Sequence, residues 1–143
     1  MWRNVCALTR RERALALEIA IASLGVELGL RLLTPQRLLM IIRRHRRIRG
    51  TADAARAQLA ELQRLTAAVL RRSPFRMTCL KQTLILCALL HRRGLPADLK
   101  IGLTKHGEAL QAHAWIEHEG CVLLDEPDVA QRFLSIVSLA SMA

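Results

Sequence analysis

The stretch TCLKQTLILCALLHRRGLP, residues 78–96, has a start and a stop written into it. Thr78 suits an N-cap, where a hydroxyl accepts from amides of the first turn. Arg92 and Arg93 suit the negative end of a helix dipole, Gly94 suits the C′ position, and Pro96 bars continuation. Between Leu84 and Leu90 the residues are apolar on every side, the pattern of a helix buried all round. A central helix is therefore expected here, with Cys79 in its first turn and the rest of the chain packed about it.

Downstream the hydrophobic period changes to two. Leu99, Ile101 and Leu103 alternate with Lys100, Gly102 and Thr104, which predicts a strand. The loop KHGEAL leads to a second strand around 111–117, and a third covers about 121–125. The last stretch, RFLSIVSLASMA, fits either a short helix or a strand. Upstream the chain is helical in character. Leu15, Ile19, Ala22, Val26 and Leu30 make one apolar stripe that ends before Thr34-Pro35. A second helix starts at Pro35 and runs to Gly50, and Thr51 caps a third, with Leu59, Leu62, Leu65, Ala68 and Val69 as its stripe. With 143 residues and a hydrophobic fraction of 52%, one core can be filled. The fold expected is α+β in a single domain, 1–143: an N-terminal helical front over 1–73, then a central helix bearing the nucleophile on a small antiparallel sheet over 74–143.

The second and third strands hold the chemistry. His118-Glu119-Gly120 suits a three-residue hairpin loop, a type I turn followed by glycine in the left-handed position. That register sets Glu117 opposite Cys121, Trp115 opposite Leu123 and His113 opposite Asp125. Opposed residues have Cβ atoms about 4.5–5.5 Å apart, close enough for a carboxylate to hold an imidazole N–H. A two-residue loop would break this pairing. A histidine held by an aspartate is an oriented base. Cys79, at a helix start where unpaired amides and the positive dipole end favour thiolate, is the group it would activate. The same amides would donate to an oxyanion. Singly, each residue has a plainer role: Cys79 as an inert thiol, His113 as a core or surface residue, Asp125 as a turn residue. Together, at these placements, they point to nucleophilic catalysis. Trp115, on the histidine's face, would shield the imidazole, fill core or wall a substrate site.

The remaining cysteines lack such company. Cys87 lies in an apolar helical run, Cys121 stands near the hairpin turn, and Cys6 is close to the N-terminus. Cys87 and His91 are one helical turn apart, but a metal would need two further ligands from Cys121, His118 or His113, so no metal and no other cofactor is expected. There is neither a C-x-x-C pair nor the spacing of a disulfide framework, which predicts a reducing, cytoplasmic setting. Residues 14–26, ALALEIAIASLGV, contain Glu18 and fall well short of the ~20 apolar residues a span requires. An interfacial or core helix fits them better, and a membrane-surface role is the less favoured reading.

Charge is uneven: +8 over residues 1–50, +6 over 51–100 and −4 over 101–143. The densest basic block, RRHRRIR at 43–49, offers Arg43, Arg44, Arg46, Arg47 and Arg49 as a docking face for an acidic partner, although solvated helix faces alone would give the same counts. A nucleic-acid-binding module is the non-enzymatic alternative. An aromatic content of 3% and the lack of a helix-turn-helix, zinc-finger or stacking motif stand against it.

Three runs in this order carry a family resemblance: TCL at 78–80, RRGLPADLKIGL at 92–103 and AHAWIEHEGCVLLD at 112–125. Over roughly residues 74–128 the chain resembles the lasso peptide biosynthesis B protein, a peptidase of the transglutaminase-like, papain-related group. The resemblance implies a Cys-His-Asp triad that cleaves the leader from a ribosomally made precursor peptide, carried here by Cys79, His113 and Asp125. It also implies an ATP-dependent cyclase that closes the ring. The family's fused form has a leader-binding domain ahead of the peptidase. This chain resembles the split, peptidase-only form, so a separate recognition-element protein would deliver the leader. Papain-like enzymes usually place a Gln shortly before the nucleophile as an oxyanion donor, whereas the nearest upstream one here is Gln63. Arg76, Thr78 or backbone amides are the candidates to replace it. Transfer of the acyl group to an amine instead of water would use the same triad.

Overall fold

A computed structural model describes residues 8–44 and 51–139. Five helices come first: α1 (Arg10–Leu32), α2 (Pro35–Arg44), α3 (Ala52–Ala57), α4 (Leu59–Leu70) and α5 (Cys79–Arg92). Then come β1 (Asp98–His106), β2 (Ala109–His118), β3 (Cys121–Leu123), the short α6 (Val129–Arg132) and β4 (Leu134–Leu139). The strands form one antiparallel sheet in the order β3-β2-β1-β4. The architecture is the α+β one expected.

The central helix begins and ends where its sequence says. Thr78 is extended, and its hydroxyl accepts from the amide of Lys81 at 3.3 Å. At the other end Gly94 takes φ +70°, and two bonds close a Schellman cap: Leu95 N–H to the Leu90 carbonyl and Gly94 N–H to that of His91. Between the caps Leu84, Ile85, Leu86, Cys87, Leu89 and Leu90 are all buried. Each leucine or isoleucine so buried contributes about 1.5–3 kcal/mol. They share one core cluster with Ile19 and Val26 of α1, Leu62 and Leu65 of α4, and Leu99, Ile116 and Leu123 of the sheet. α5 therefore lies between the helical front and the sheet, and its first turn is fixed from both sides.

Glu27 supplies part of that fixing. It is buried on α1 and accepts from Lys81 Nζ at 2.5 Å, while Lys81 also donates to the carbonyl of Arg76. The Lys81 hydrogen bond, helped by Arg31, holds the Glu27 carboxyl below its ordinary value of 4.5. A carboxyl lowered in the folded state adds stability that is fully present above the unfolded value and is lost as pH falls through the folded one. Glu27→Gln should therefore lower the urea midpoint at pH 7, and the difference from wild type should shrink as pH drops below about 4.5. Urea titrations at pH 7 and in acid check both statements.

Outside the hairpin of β2 and β3 the structure departs from the expected elements in two places and settles an alternative in a third. The helix expected from Thr51 is broken at Gln58 into α3 and α4. Ala52–Ala57 offers only alanines and charges, with no apolar stripe to hold it in line with α4. The KHGEAL loop shrinks to a two-residue turn at Gly107-Glu108, so β1 and β2 are longer than their alternating cores. In RFLSIVSLASMA, Arg132 ends the one-turn α6 and Leu134–Leu139 form β4 on the open edge of β1, so the described part of this stretch is a strand. Arg46, Arg47, Arg49 and Cys6 lie outside the described residues. Among the described residues no helix is long and apolar enough to cross a membrane.

Candidate active site

Cys79 is the first residue of α5. At that position a helix leaves its amides without intrahelical acceptors. Thr78 takes the Lys81 amide with its hydroxyl and the Gln82 amide with its carbonyl. The amides of Cys79 and Leu80 have no acceptor among the described residues, and they stand beside the thiol. Thr83, one turn on, ties this turn to the sheet. Its hydroxyl lies 2.7 Å from the Cys79 carbonyl and 3.2 Å from that of Ala114, the neighbour of His113. Thr83→Val keeps the shape and removes this link, so a loss of about 1 kcal/mol is expected in urea unfolding.

His113 sits on β2, opposite Gly102 of β1. Its Nε2 lies 2.5 Å from Asp125 Oδ2. An ionised carboxylate only accepts, so Nε2 carries the proton and Nδ1 is left as the basic nitrogen. Asp125 Oδ1 accepts from the Glu126 amide, which fixes the carboxylate in turn. Behind the imidazole, Phe133 lies 5.0 Å away centroid to centroid and Trp115 is stacked at 6.5 Å. Trp115 is 2% exposed and donates Nε1–H to Glu117, which also binds Lys100. Gly102 makes this platform possible. A Cβ there would stand 2.9 Å from both the Trp115 ring and Phe133 Cβ, so any side chain would push the aromatics off the strand.

The pairing of His113 with Asp125 was expected, but the register that predicted it is wrong. The hairpin turn has two residues, Glu119 and Gly120, both at positive φ (50° and 80°), and His118 pairs with Cys121. Such a turn, left-handed at both residues, follows the strands' own right-handed twist. Glu119 is held in this conformation by an ion pair with Arg56. The observed register sets Glu117 opposite Val122 and Ile116 opposite Leu123, which would turn residue 125 to the wrong face of a continued strand. The strand does not continue. Leu124 takes φ +58°, an uncommon conformation for a leucine, and this bend brings Asp125 back to the histidine.

Because β3 ends at Leu123, the edge of β2 is uncovered beyond Ile116, and the start of α5 borders the opening. Cys79, His113 and Asp125 line this one narrow cleft, of about 30 Å³, with Gln82, Thr83 and Trp115. No hydrogen bond joins the thiol to the imidazole in this structure, a contact that catalytic pairs commonly complete only when substrate is bound.

The other candidates scatter. Thr78 serves as the helix cap, and Arg76, an exposed residue, offers its carbonyl to Lys81; neither lines the cleft, whereas Trp115 does. Arg44 is exposed at the end of α2 and Arg43 is half-buried near Cys87, while the other three arginines of the block lie outside the described residues. Cys87, at 1% exposure, has its thiol pushed up to about 12 by burial, which makes it inert as a nucleophile. His118 is a structural histidine whose Nδ1 donates to the Pro96 carbonyl at 2.7 Å. Among the described residues no three His, Cys, Asp or Glu side chains gather as a metal site.

Sequence reasoning missed two residues here. Gln82 was legible, since i and i+3 share a helix face and Cys79 defines that face. Phe133 was not, because nothing in its spacing places a residue beyond a bend and a one-turn helix against His113.

A family model described as the transglutaminase-like superfamily matches residues 20–138 of the chain. No curated protein and no solved structure matches it.

Proposed function

This chain belongs to the transglutaminase-like superfamily, and from that premise we propose that it is a cysteine endopeptidase in which Cys79 is the nucleophile, His113 the base and Asp125 its orienting partner. The observation that carries this is the shared cleft: a thiol at a helix start beside two unclaimed amides, and an imidazole whose Nε2 is engaged by a carboxylate. In the reaction, His113 Nδ1 takes the thiol proton and the sulfur attacks the peptide carbonyl carbon. The amides of Cys79 and Leu80 receive the oxyanion in place of an upstream glutamine. The imidazolium then returns its proton to the leaving nitrogen. A water, deprotonated by the same histidine, releases the acyl group as a carboxylate.

The substrate we propose is the leader–core junction of a ribosomally made lasso precursor peptide. The three sequence runs that resemble the lasso B protein support this, as does the basic front of the chain, suited to an acidic partner. A separate leader-binding protein would present the precursor, and an ATP-dependent cyclase would use the released core. On α1, Leu17, Ile21, Leu24 and Leu28 are exposed at steps of four and three, a stripe fitted to an apolar partner surface. Free cysteines at 79, 87 and 121 accord with a cytoplasmic setting.

The test is incubation of a candidate precursor with the chain, with and without the leader-binding protein, in water enriched in oxygen-18. Two fragments are expected, with one heavy oxygen in the new C-terminal carboxylate and more product when the partner is present. An acyl product joined to an amine, with no heavy oxygen, would replace hydrolysis by acyl transfer. Intact precursor under both conditions would overturn the leader-peptidase reading.

A further inference from the structure

A larger cavity of about 410 Å³ opens beside the narrow cleft, between the end of α4 and the segment leading into α5. Gln82 and Leu124 line both spaces, so the two adjoin at these side chains. Its walls include Leu70, Phe75 and Met77, and its polar groups include Arg71. No carboxylate lines it. Arg71 is exposed and, like Arg37, Arg72 and Arg76, forms no ion pair with any described carboxylate, and the Gln82 side-chain amide makes no hydrogen bond among the described residues.

A cavity of this size, with polar and apolar wall in similar measure, takes more than one substrate side chain. A guanidinium without a partner at its wall favours an anion, and with a planar carboxylate it forms two parallel hydrogen bonds. Gln82 lies three residues below Cys79 on the helix, a rise of about 4.5 Å. An extended peptide advances about 3.3 Å per residue, so a side chain beside Gln82 belongs to a residue within roughly two of the scissile bond.

We propose that this cavity is the subsite for an acidic substrate side chain next to the scissile bond, with Arg71 binding its carboxylate and Gln82 donating a further hydrogen bond. Glutamate fits better than aspartate, because its extra methylene lies against Leu70, Phe75 and Met77. The proposal rests on the peptidase reading, and its test is built on binding so that the two fail separately.

Fluorescein-labelled hexapeptides differing only by Glu, Gln, Leu or Lys at one scanned position are titrated with the Cys79→Ala chain, and polarisation is read. At one position Glu should bind at least about tenfold tighter than Lys, with Gln between them. Arg71→Glu should invert the order in favour of Lys, and Arg71→Gln should abolish the difference. If Arg71→Glu does not fold, Arg71→Gln decides alone. No position at which charge matters, including no binding at all, overturns the proposal, as does an acidic preference that survives both substitutions. If the charge preference appears and inverts but the wild-type chain cleaves nothing, the subsite stands and hydrolysis falls. Cleavage without an acidic preference overturns the subsite alone.

Discussion

Cys79→Ala is expected to abolish peptide cleavage, a fall of about 10⁴-fold or more, while leaving the fold intact. In the proposed mechanism the thiol is the group, among the described residues of the cleft, that forms the acyl intermediate, and its loss leaves no nucleophile for the base to activate. Stability should hardly change. Cys79 is half-buried at the first position of α5 and its thiol makes no hydrogen bond, so alanine, a strong helix former, costs under about 0.5 kcal/mol. Cys79→Ser should be nearly as inactive, because a hydroxyl is a far weaker nucleophile than a thiol at neutral pH. Circular dichroism with thermal melting, alongside a cleavage assay, reads both effects. Retained cleavage in folded Cys79→Ala would remove this residue from the mechanism.

His113→Ala is the next most severe change, with an expected loss of about 10³-fold or more in kcat. In the proposed mechanism the imidazole both activates the thiol and protonates the leaving amine, and among the described residues of the cleft no other basic nitrogen replaces it. Trp115 and Phe133 flank it without a basic nitrogen. Asp125→Asn should be milder by about tenfold to a hundredfold, because the base remains and only control of its tautomer and orientation is lost. The ordering is the informative part. An Asp125→Asn loss as large as that of His113→Ala would mean that the carboxylate does more than hold Nε2–H. Equal and small losses would mean that the pair at 2.5 Å is structural.

The central helix and its cap were fully legible, since Thr78, the apolar run from Leu84 to Leu90 and Gly94 all act within one segment. The same holds for the stripe on α1, where Ile19 and Val26 are buried and Leu15, Ala22 and Leu30 pack against the core. Registers were harder. His118-Glu119-Gly120 fits two turn types, and the choice depends on strand twist and on Glu119 meeting Arg56, 63 residues away in sequence. The meeting of His113 and Asp125 was inferred through the wrong register and is achieved by the left-handed bend at Leu124, which no local signal marks. The break at Gln58 and the placement of Phe133 are tertiary outcomes of the same kind. Gln82 could have been placed from helical spacing alone, one turn below Cys79.

The most direct test of the mechanism is acid-quenched mass spectrometry of the wild-type chain during turnover of a precursor peptide, followed by digestion to locate any adduct. A thioester on the peptide containing Cys79, heavier by the acyl fragment less one water, is the expected result, with no adduct in Cys79→Ala. An adduct on Cys87 or Cys121, or undiminished cleavage by Cys79→Ala, would contradict the assignment of the nucleophile.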